Sequence, residues 1–198
     1  MKRLGNMIKD GVLIALMSYQ IAGAPVGEKR YLPKIEAIST YHNPKETLPA
    51  RLSYHAIDSL VTSALKEVRL PSYLPKSSQI TRAYVESGGN PSDTSSRGAR
   101  GLWQLMKDAW DGSMPGYDFN KAYDPLLNAK ASIRHIQDVN YFLRKNHPGW
   151  DTLQAGQKYD ILNAAYNGGH GRLQDVGWDI SRMPTETQKY VRKMREQI

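Results

Sequence analysis

Cysteine is absent from the 198 residues. That absence excludes disulfides, thiolate zinc sites, iron–sulfur clusters and cysteine nucleophiles. It leaves the compartment open, because a domain of ordinary size folds without such staples. Long apolar runs are missing as well: Val12 to Met17 is too short to span a bilayer, and Tyr19 and Gln20 interrupt the segment beyond it. There is no GxxxxGKS/T phosphate loop, no GxGxxG after a strand, no GxSxG elbow and no HExxH. The five histidines, His42, His55, His135, His147 and His170, share no metal-ligand spacing. Neither a metal nor a cofactor is expected. No dense Lys/Arg block stands out, so a nucleic-acid-binding arm is not indicated and no specific nucleic-acid partner is expected.

What is present suits a soluble globular protein: 40% hydrophobic residues, 23% charged residues and a mean hydropathy of −0.58. Lys and Arg number 27 against 19 Asp and Glu, which gives +8 and a pI near 9.6. A chain with this balance is drawn to polyanions such as nucleic acid, anionic lipid or an acidic cell wall. The same balance also serves plain solubility.

Along the chain, residues 1–24 read as a signal-like segment. Lys2, Arg3 and Lys9 precede the apolar run, and Ala22-Gly23-Ala24 fits a small-residue cleavage site, with Pro25 directly after the cut as a blemish. An uncleaved anchor, or a helix within an assembled particle, are the other readings. Residues 25–50 carry Pro33, Pro44 and Pro49 without sustained periodicity and read as a linker or arm. Residues 51–198 read as one domain, mainly α, a bundle of short helices with at most a small β-hairpin. Ser53 caps a helix with Ile57, Leu60, Val61, Ala64, Leu65 and Val68 on one face. Ser77 or Ser78 caps a second, which Gly88-Gly89 stops. Leu102, Leu105, Met106, Ala109 and Trp110 form a third helical stripe. Asp124-Pro125 opens a long helix that His147-Pro148-Gly149 closes, Tyr159 to Asn167 forms another, and Pro184 opens the last.

Glu86 falls on the last turn of the second helix. Facing an apolar cleft, a carboxylate there would have its charged form disfavoured and would hold a proton near neutral pH. Such a group can act as a general acid on a poor leaving group such as a sugar oxygen. Taken by position alone, Glu86 could equally be an exposed helix-end glutamate.

The surrounding residues decide the matter. Glu86-Ser87, then Asn90-Pro91, then Ser95-Ser96-Arg97-Gly98-Ala99-Arg100-Gly101-Leu102-Trp103-Gln104-Leu105-Met106 strongly resembles the pattern of the Slt-type lytic transglycosylases, whose catalytic domain has a goose-type-lysozyme-like fold. Three further blocks come in the family's order: Tyr123-Asp124-Pro125 with Asn128, Ala164-Ala165-Tyr166-Asn167-Gly168-Gly169, and Pro184-Thr185-Glu186-Thr187 with Tyr190-Val191. The resemblance runs from about Ile80 to Met194. Trp103 stands where the family usually has Met and Lys107 where Pro is common, which bears on the groove wall and the next helix start. The helix before Glu86 is more polar than usual, with Thr81 and Arg82.

The resemblance implies cleavage of the β-1,4 bond between N-acetylmuramic acid and N-acetylglucosamine in peptidoglycan glycan strands. It makes Glu86 the acid and then the base, with a 1,6-anhydro ring in the product. Ser95 and Gln104 would bond the sugar amide and the region of the acid. Met106 would wall Glu86, Tyr166 and Asn167 would line the groove, and Tyr190 would orient Glu86. Gly98, Ala99 and Gly101 would be turn residues that let the sugar approach. Apart from the resemblance, Arg97 and Arg100 flank the glycines with Trp103 nearby, a mix that suits single-stranded nucleic acid or, as the favoured reading, carboxylates of the peptide stems. A lysozyme-like hydrolase of the same bond would need a second carboxylate to place water, for which Asp93 and Asp124 are the candidates. A non-catalytic wall-binding protein is the alternative from another class. The expected setting is the bacterial envelope or periplasm, or alternatively a phage virion, with a secretion, conjugation or phage-particle assembly as the partner such an enzyme would serve.

Overall fold

The computed structural model describes residues 50–196, so the signal-like segment and all but the last residue of the arm lie outside the described residues. The described residues hold seven α-helices: α1 (Tyr54–Ala64), α2 (Ser77–Ser87), α3 (Lys107–Ser113), α4 (Pro125–Asn146), α5 (Ala155–Gly168), α6 (His170–Asp175) and α7 (Thr185–Glu196). Short 3-10 turns occupy Phe119–Tyr123, Trp150–Thr152 and Ile180–Arg182. Among the described residues no helix is long and apolar enough to cross a membrane.

Helix ends obey local chemistry. The Ser53 hydroxyl accepts the Ala56 N–H and starts α1, which buries Ile57, Leu60, Val61 and Ala64 at the spacing of one helical face. Asp124 accepts the N–H groups of Leu126 and Leu127, both at 2.9 Å, and Pro125 takes the first helical position, where a missing N–H costs nothing. Gly88, at φ +62°, ends α2 in the left-handed conformation.

The 22-residue α4 is the spine. Its Ala129 and Ile133 join a core with Ile57, Val61, Ile80, Leu102 and Trp103. Ile136, Val139 and Leu143 join a second core with Leu162, Tyr190, Val191 and Met194. Ala131 faces a third with Leu105, Trp110 and Met114. One helix thereby fixes α1 and α2 on one side and α5 and α7 on the other.

Several expectations shift. Neither Ser77 nor Ser78 caps α2: the turn at Pro75 begins it, and the Ser78 hydroxyl donates to the Pro75 carbonyl at 2.6 Å. The expected third stripe is not one helix. Only Lys107–Ser113 is helical, because Gly101 (φ +79°) and Gln104 (φ +45°) break the run and Arg100 forms antiparallel bridges with Thr94 and Leu105. Those two isolated bridges stand in place of the small hairpin. The helix expected from Tyr159 begins at Ala155, where the Gln154 N–H is taken up by the Gln157 side chain at 2.9 Å.

The Gly101 turn is sterically exacting. A Cβ there would lie 2.2 Å from the Ala122 carbonyl oxygen and 2.8 Å from the Asn128 side chain. Gly98 has a similar φ of +84° but open space around it. Gly101→Ala is therefore expected to destabilise the fold by more than the ~1–3 kcal/mol of an unfavourable φ alone, and Gly98→Ala by no more than that. Urea midpoints of the two variants check this; equal losses would contradict the packing described for Gly101.

Candidate active site

The end of α2, the loop 95–106, the end of α5 and one face of α7 enclose an open groove of about 580 Å³. Glu86 lies in it, on the last turn of α2. The Ser87 hydroxyl donates to the carbonyls of Ala83 and Leu102, both at 3.0 Å, and so ties the end of α2 to the loop that forms the opposite wall. Trp103 reinforces that join. Its indole N–H donates to the Gln79 carbonyl and its backbone N–H to Asn128 Oδ1, each at 2.9 Å. Trp103 is fully buried and does not line the groove, so the substitution expected to change the groove wall changes the core behind it instead.

All seven of the residues singled out in sequence, Glu86, Ser95, Gln104, Met106, Tyr166, Asn167 and Tyr190, line this one groove. Their side chains differ in what they have free. Ser95 Oγ accepts the Ala99 N–H at 3.0 Å, which leaves its own O–H to donate. Gln104 Nε2 donates to the carbonyls of Gly101 at 2.9 Å and Asp93 at 3.3 Å, so its amide oxygen is the group left for a ligand. Met106 is 46% exposed and is a wall residue, not core. The Tyr166 hydroxyl donates to the Trp103 carbonyl at 3.0 Å. The Asn167 amide makes no hydrogen bond among the described residues.

Arg100 is not in the groove. Its guanidinium lies 4.2 Å from the Phe119 ring centroid and 5.3 Å from that of Tyr123, and it donates to Asn120 Oδ1 at 3.0 Å. It buttresses the loop, while Arg97 lines the groove together with Lys189 and Lys193 of α7. Of the two aspartates named for placing water, Asp124 caps α4 and Asp93 does not line the groove. The second carboxylate in the groove is Glu186. Glu186, Lys189 and Lys193 were not singled out, although their i, i+3, i+7 spacing on α7 places them on one helical face.

Arg82 is the other residue that sequence reasoning passed over as a mere departure in polarity. It is fully buried one turn before Glu86. Its Nη1 donates to the Tyr190 hydroxyl at 3.1 Å, and its guanidinium sits 4.2 Å from the Tyr166 ring centroid. The Tyr190 hydroxyl in turn favours the charged form of Glu86 and lowers its pKa. The i, i+4 spacing of Arg82 and Glu86 was the signal available.

Glu86 as a residue is half-buried, open towards the groove, but its carboxyl group is closely surrounded. Burial pushes its pKa up, the Tyr190 hydrogen bond and the Arg82 charge pull it down, Glu186 adds a small upward push, and the balance lies at about 7. A carboxyl poised there can give a proton and take one back in the same pH range.

These elements define a helical, lysozyme-like fold with an enclosed carboxyl, Glu86, in a groove, and comparison with known proteins agrees in fold. The chain matches the 70 kDa soluble lytic transglycosylase from Escherichia coli with a TM-score of 0.54 and 24% identity, over 69% of this chain and 22% of that one. The chain thus spans about a fifth of the length of that structure, and the likeness is one of fold. No curated protein matches the sequence significantly. The family model for the transglycosylase SLT domain matches residues 73–186, more than half of the chain, and the protein belongs to that family.

The raised pKa has a consequence for stability. Between 4.5, the ordinary carboxyl value, and about 7, the folded protein holds a proton at Glu86 that the unfolded chain has lost. Stability from this group is therefore full below 4.5 and is lost as pH rises to about 7. Glu86→Gln is expected to remove that loss and to stabilise the protein at pH 7 by at most about 3 kcal/mol. Urea unfolding of both proteins at pH 4.5 and 7.5 checks it; an advantage of the variant that does not grow with pH would refute the raised pKa.

Proposed function

We propose that the protein is a peptidoglycan lytic transglycosylase. The observation that carries this reading is Glu86, a carboxyl with a pKa of about 7 at the centre of a groove walled by Ser95, Gln104, Met106, Tyr166, Asn167 and Tyr190. Protonated Glu86 gives its proton to the glycosidic oxygen as the bond from the muramic acid anomeric carbon to that oxygen breaks. The substrate's own N-acetyl oxygen supports the positive charge at that carbon. Glu86, now a carboxylate, takes the proton of the muramic acid 6-hydroxyl as its oxygen bonds to the anomeric carbon and closes the 1,6-anhydro ring. No water is consumed. The nucleophile belongs to the sugar, so proximity does the work of a second protein carboxylate.

The free groups on the walls suit an acetamido sugar: the Ser95 O–H donates, the Gln104 amide oxygen accepts, and Asn167 does both. Arg97, Lys189 and Lys193 offer cations to the carboxylates of the peptide stems. Residues 1–24 support action at the bacterial envelope, with a phage virion as the alternative setting; local wall opening for a secretion, conjugation or phage-particle assembly is the role we assign.

Glu186 favours a second reading. A carboxylate in the same groove could place water and make the enzyme a hydrolase. Mass spectrometry of fragments released from purified peptidoglycan separates the two. Anhydromuramic ends, lost in Glu86→Gln, are expected. Reducing ends lost in both Glu86→Gln and Glu186→Gln would establish the hydrolase, and no fragments from the wild type would point to a wall-binding protein. For the cationic wall, Arg97→Ala should weaken sedimentation with purified sacculi several-fold, whereas Arg100→Ala should lower thermal stability and leave sedimentation of the folded protein near wild type; the reverse pattern would exclude Arg97 from binding.

A further inference from the structure

Arg82 is a buried guanidinium without a buried ion-pair partner. It has no solvent exposure, and among the described residues it makes no salt bridge within contact distance. Its Nε and Nη2 have no hydrogen-bond partner at all. Keeping a full charge in that position is unfavourable, and an apolar side chain of similar length would fill the space at less cost. Packing alone therefore does not account for an arginine here.

What it does touch is specific. Nη1 donates to the Tyr190 hydroxyl at 3.1 Å, and the guanidinium plane is 4.2 Å from the centroid of Tyr166. Both tyrosines line the groove with Glu86, and Glu86 is the carboxylate whose charge Arg82 feels. With an Arg82 N–H donated to the Tyr190 oxygen, the single hydroxyl hydrogen of Tyr190 is left for another acceptor, and Glu86 lines the same groove.

We propose that Arg82 is a positioning residue for Glu86: it aims the Tyr190 hydroxyl at the carboxyl and is the buried counter-charge of the carboxylate left when Glu86 gives up its proton. The inference rests on Glu86 being the acid/base of the proposed reaction. Both halves of that reaction need the group to change charge inside a low-dielectric wall. Without a nearby cation, burial would hold the proton on and the second half would lack its base.

The other charges near Glu86 do not take that part. Glu186 on α7 has the same sign as the Glu86 carboxylate and repels it, and Arg97, Lys189 and Lys193 are exposed groove residues screened by solvent. Tyr166 on α5 and Tyr190 on α7 are held neutral by burial, with their pKa values raised. His135 on α4, whose ring centroid is 5.3 Å from that of Tyr166, is pushed down to about 4 by burial and then by Arg82, so it is uncharged at neutral pH.

The test is a direct titration of Glu86 by carbon NMR of the full chain labelled at glutamate Cδ, with the Glu86 signal assigned by its loss in Glu86→Gln. In Arg82→Met the midpoint is expected to rise by about one pH unit or more. Arg82→Lys, which keeps the charge but loses the fork, should move it less. The alkaline limb of the pH profile of kcat/KM on purified peptidoglycan should shift upward with the midpoint. If Arg82→Met does not fold, Arg82→Gln removes the charge while keeping a donor for Tyr190, and the same rise is expected. A Glu86 midpoint unchanged in a folded, neutral Arg82 variant would overturn the proposal. Because the titration needs no turnover, a protein that proved to be a hydrolase or a binder would leave this result readable in its own right.

Discussion

The chain of contacts from the Arg82 guanidinium through the Tyr190 hydroxyl to the Glu86 carboxyl is the constraint to which the rest of the structure answers. It joins α2 to α7, between residues 108 positions apart in sequence. For it to hold, α2 must be buried well beyond its apolar residues, and it is: Ser78, Gln79, Thr81 and Arg82 are all buried alongside Ile80 and Ala83. Helices α5 and α7 must also approach closely enough to enclose the arginine. Gly168, at the end of α5, allows this, since a Cβ there would lie 2.4 Å from Met183 Cε and 2.8 Å from Thr187 Oγ1. The desolvation of a guanidinium costs several kcal/mol. One hydrogen bond and one cation–π contact, the latter worth about 2 kcal/mol when desolvated, offset part of it. A site with this deficit is held by its surroundings, which here means the core that α4, α5 and α7 share.

The opposite wall is built on another principle. The loop 95–106 closes on itself through backbone pairs such as Arg100 with Leu105, and anchors reaching out of neighbouring helices fix it in place. Ser87 and Gln79 of α2 hold the carbonyl of Leu102 and the indole of Trp103, and Asn128 of α4 holds the Trp103 N–H and the Arg100 carbonyl. Arg100, stacked on Phe119 and Tyr123, closes the outer side. Gln104 is the pivot, a non-glycine residue at φ +45° that lines the groove and whose amide N–H groups hold the loop. Backbone strain of this kind persists where the environment over-determines it, and it commonly marks a functional loop.

Much of this was legible in sequence, and for identifiable reasons. Helix starts at Ser53 and Asp124, and the stop at Gly88, depend on local chemistry that a few neighbouring residues specify. The groove residues were legible because four ordered blocks carry them. What escaped were choices that only tertiary contacts make. Leu102, Leu105 and Met106 fit a helical face as well as Ala109 and Trp110 do, and periodicity cannot register that Gly101 and Gln104 take positive φ. Arg97 and Arg100 look alike in sequence, yet one faces the groove and the other stacks on aromatic rings of the turn Phe119–Tyr123. Arg82 read only as a sign of a helix more polar than usual because its partner, Tyr190, lies 108 residues further along the sequence.

The same contrast explains how the Glu86 carboxyl comes to be poised at about 7. Burial alone yields a carboxyl that keeps its proton, good for the first half of such a reaction and useless for the second. A nearby cation alone yields a carboxylate that never holds one. Glu86 stands between these limits because the two influences come from different parts of the fold: the enclosing walls raise its pKa, while the Arg82–Tyr190 pair lowers it. A second carboxylate in the groove, Glu186, is exposed on α7 and adds only the smallest of the influences on Glu86.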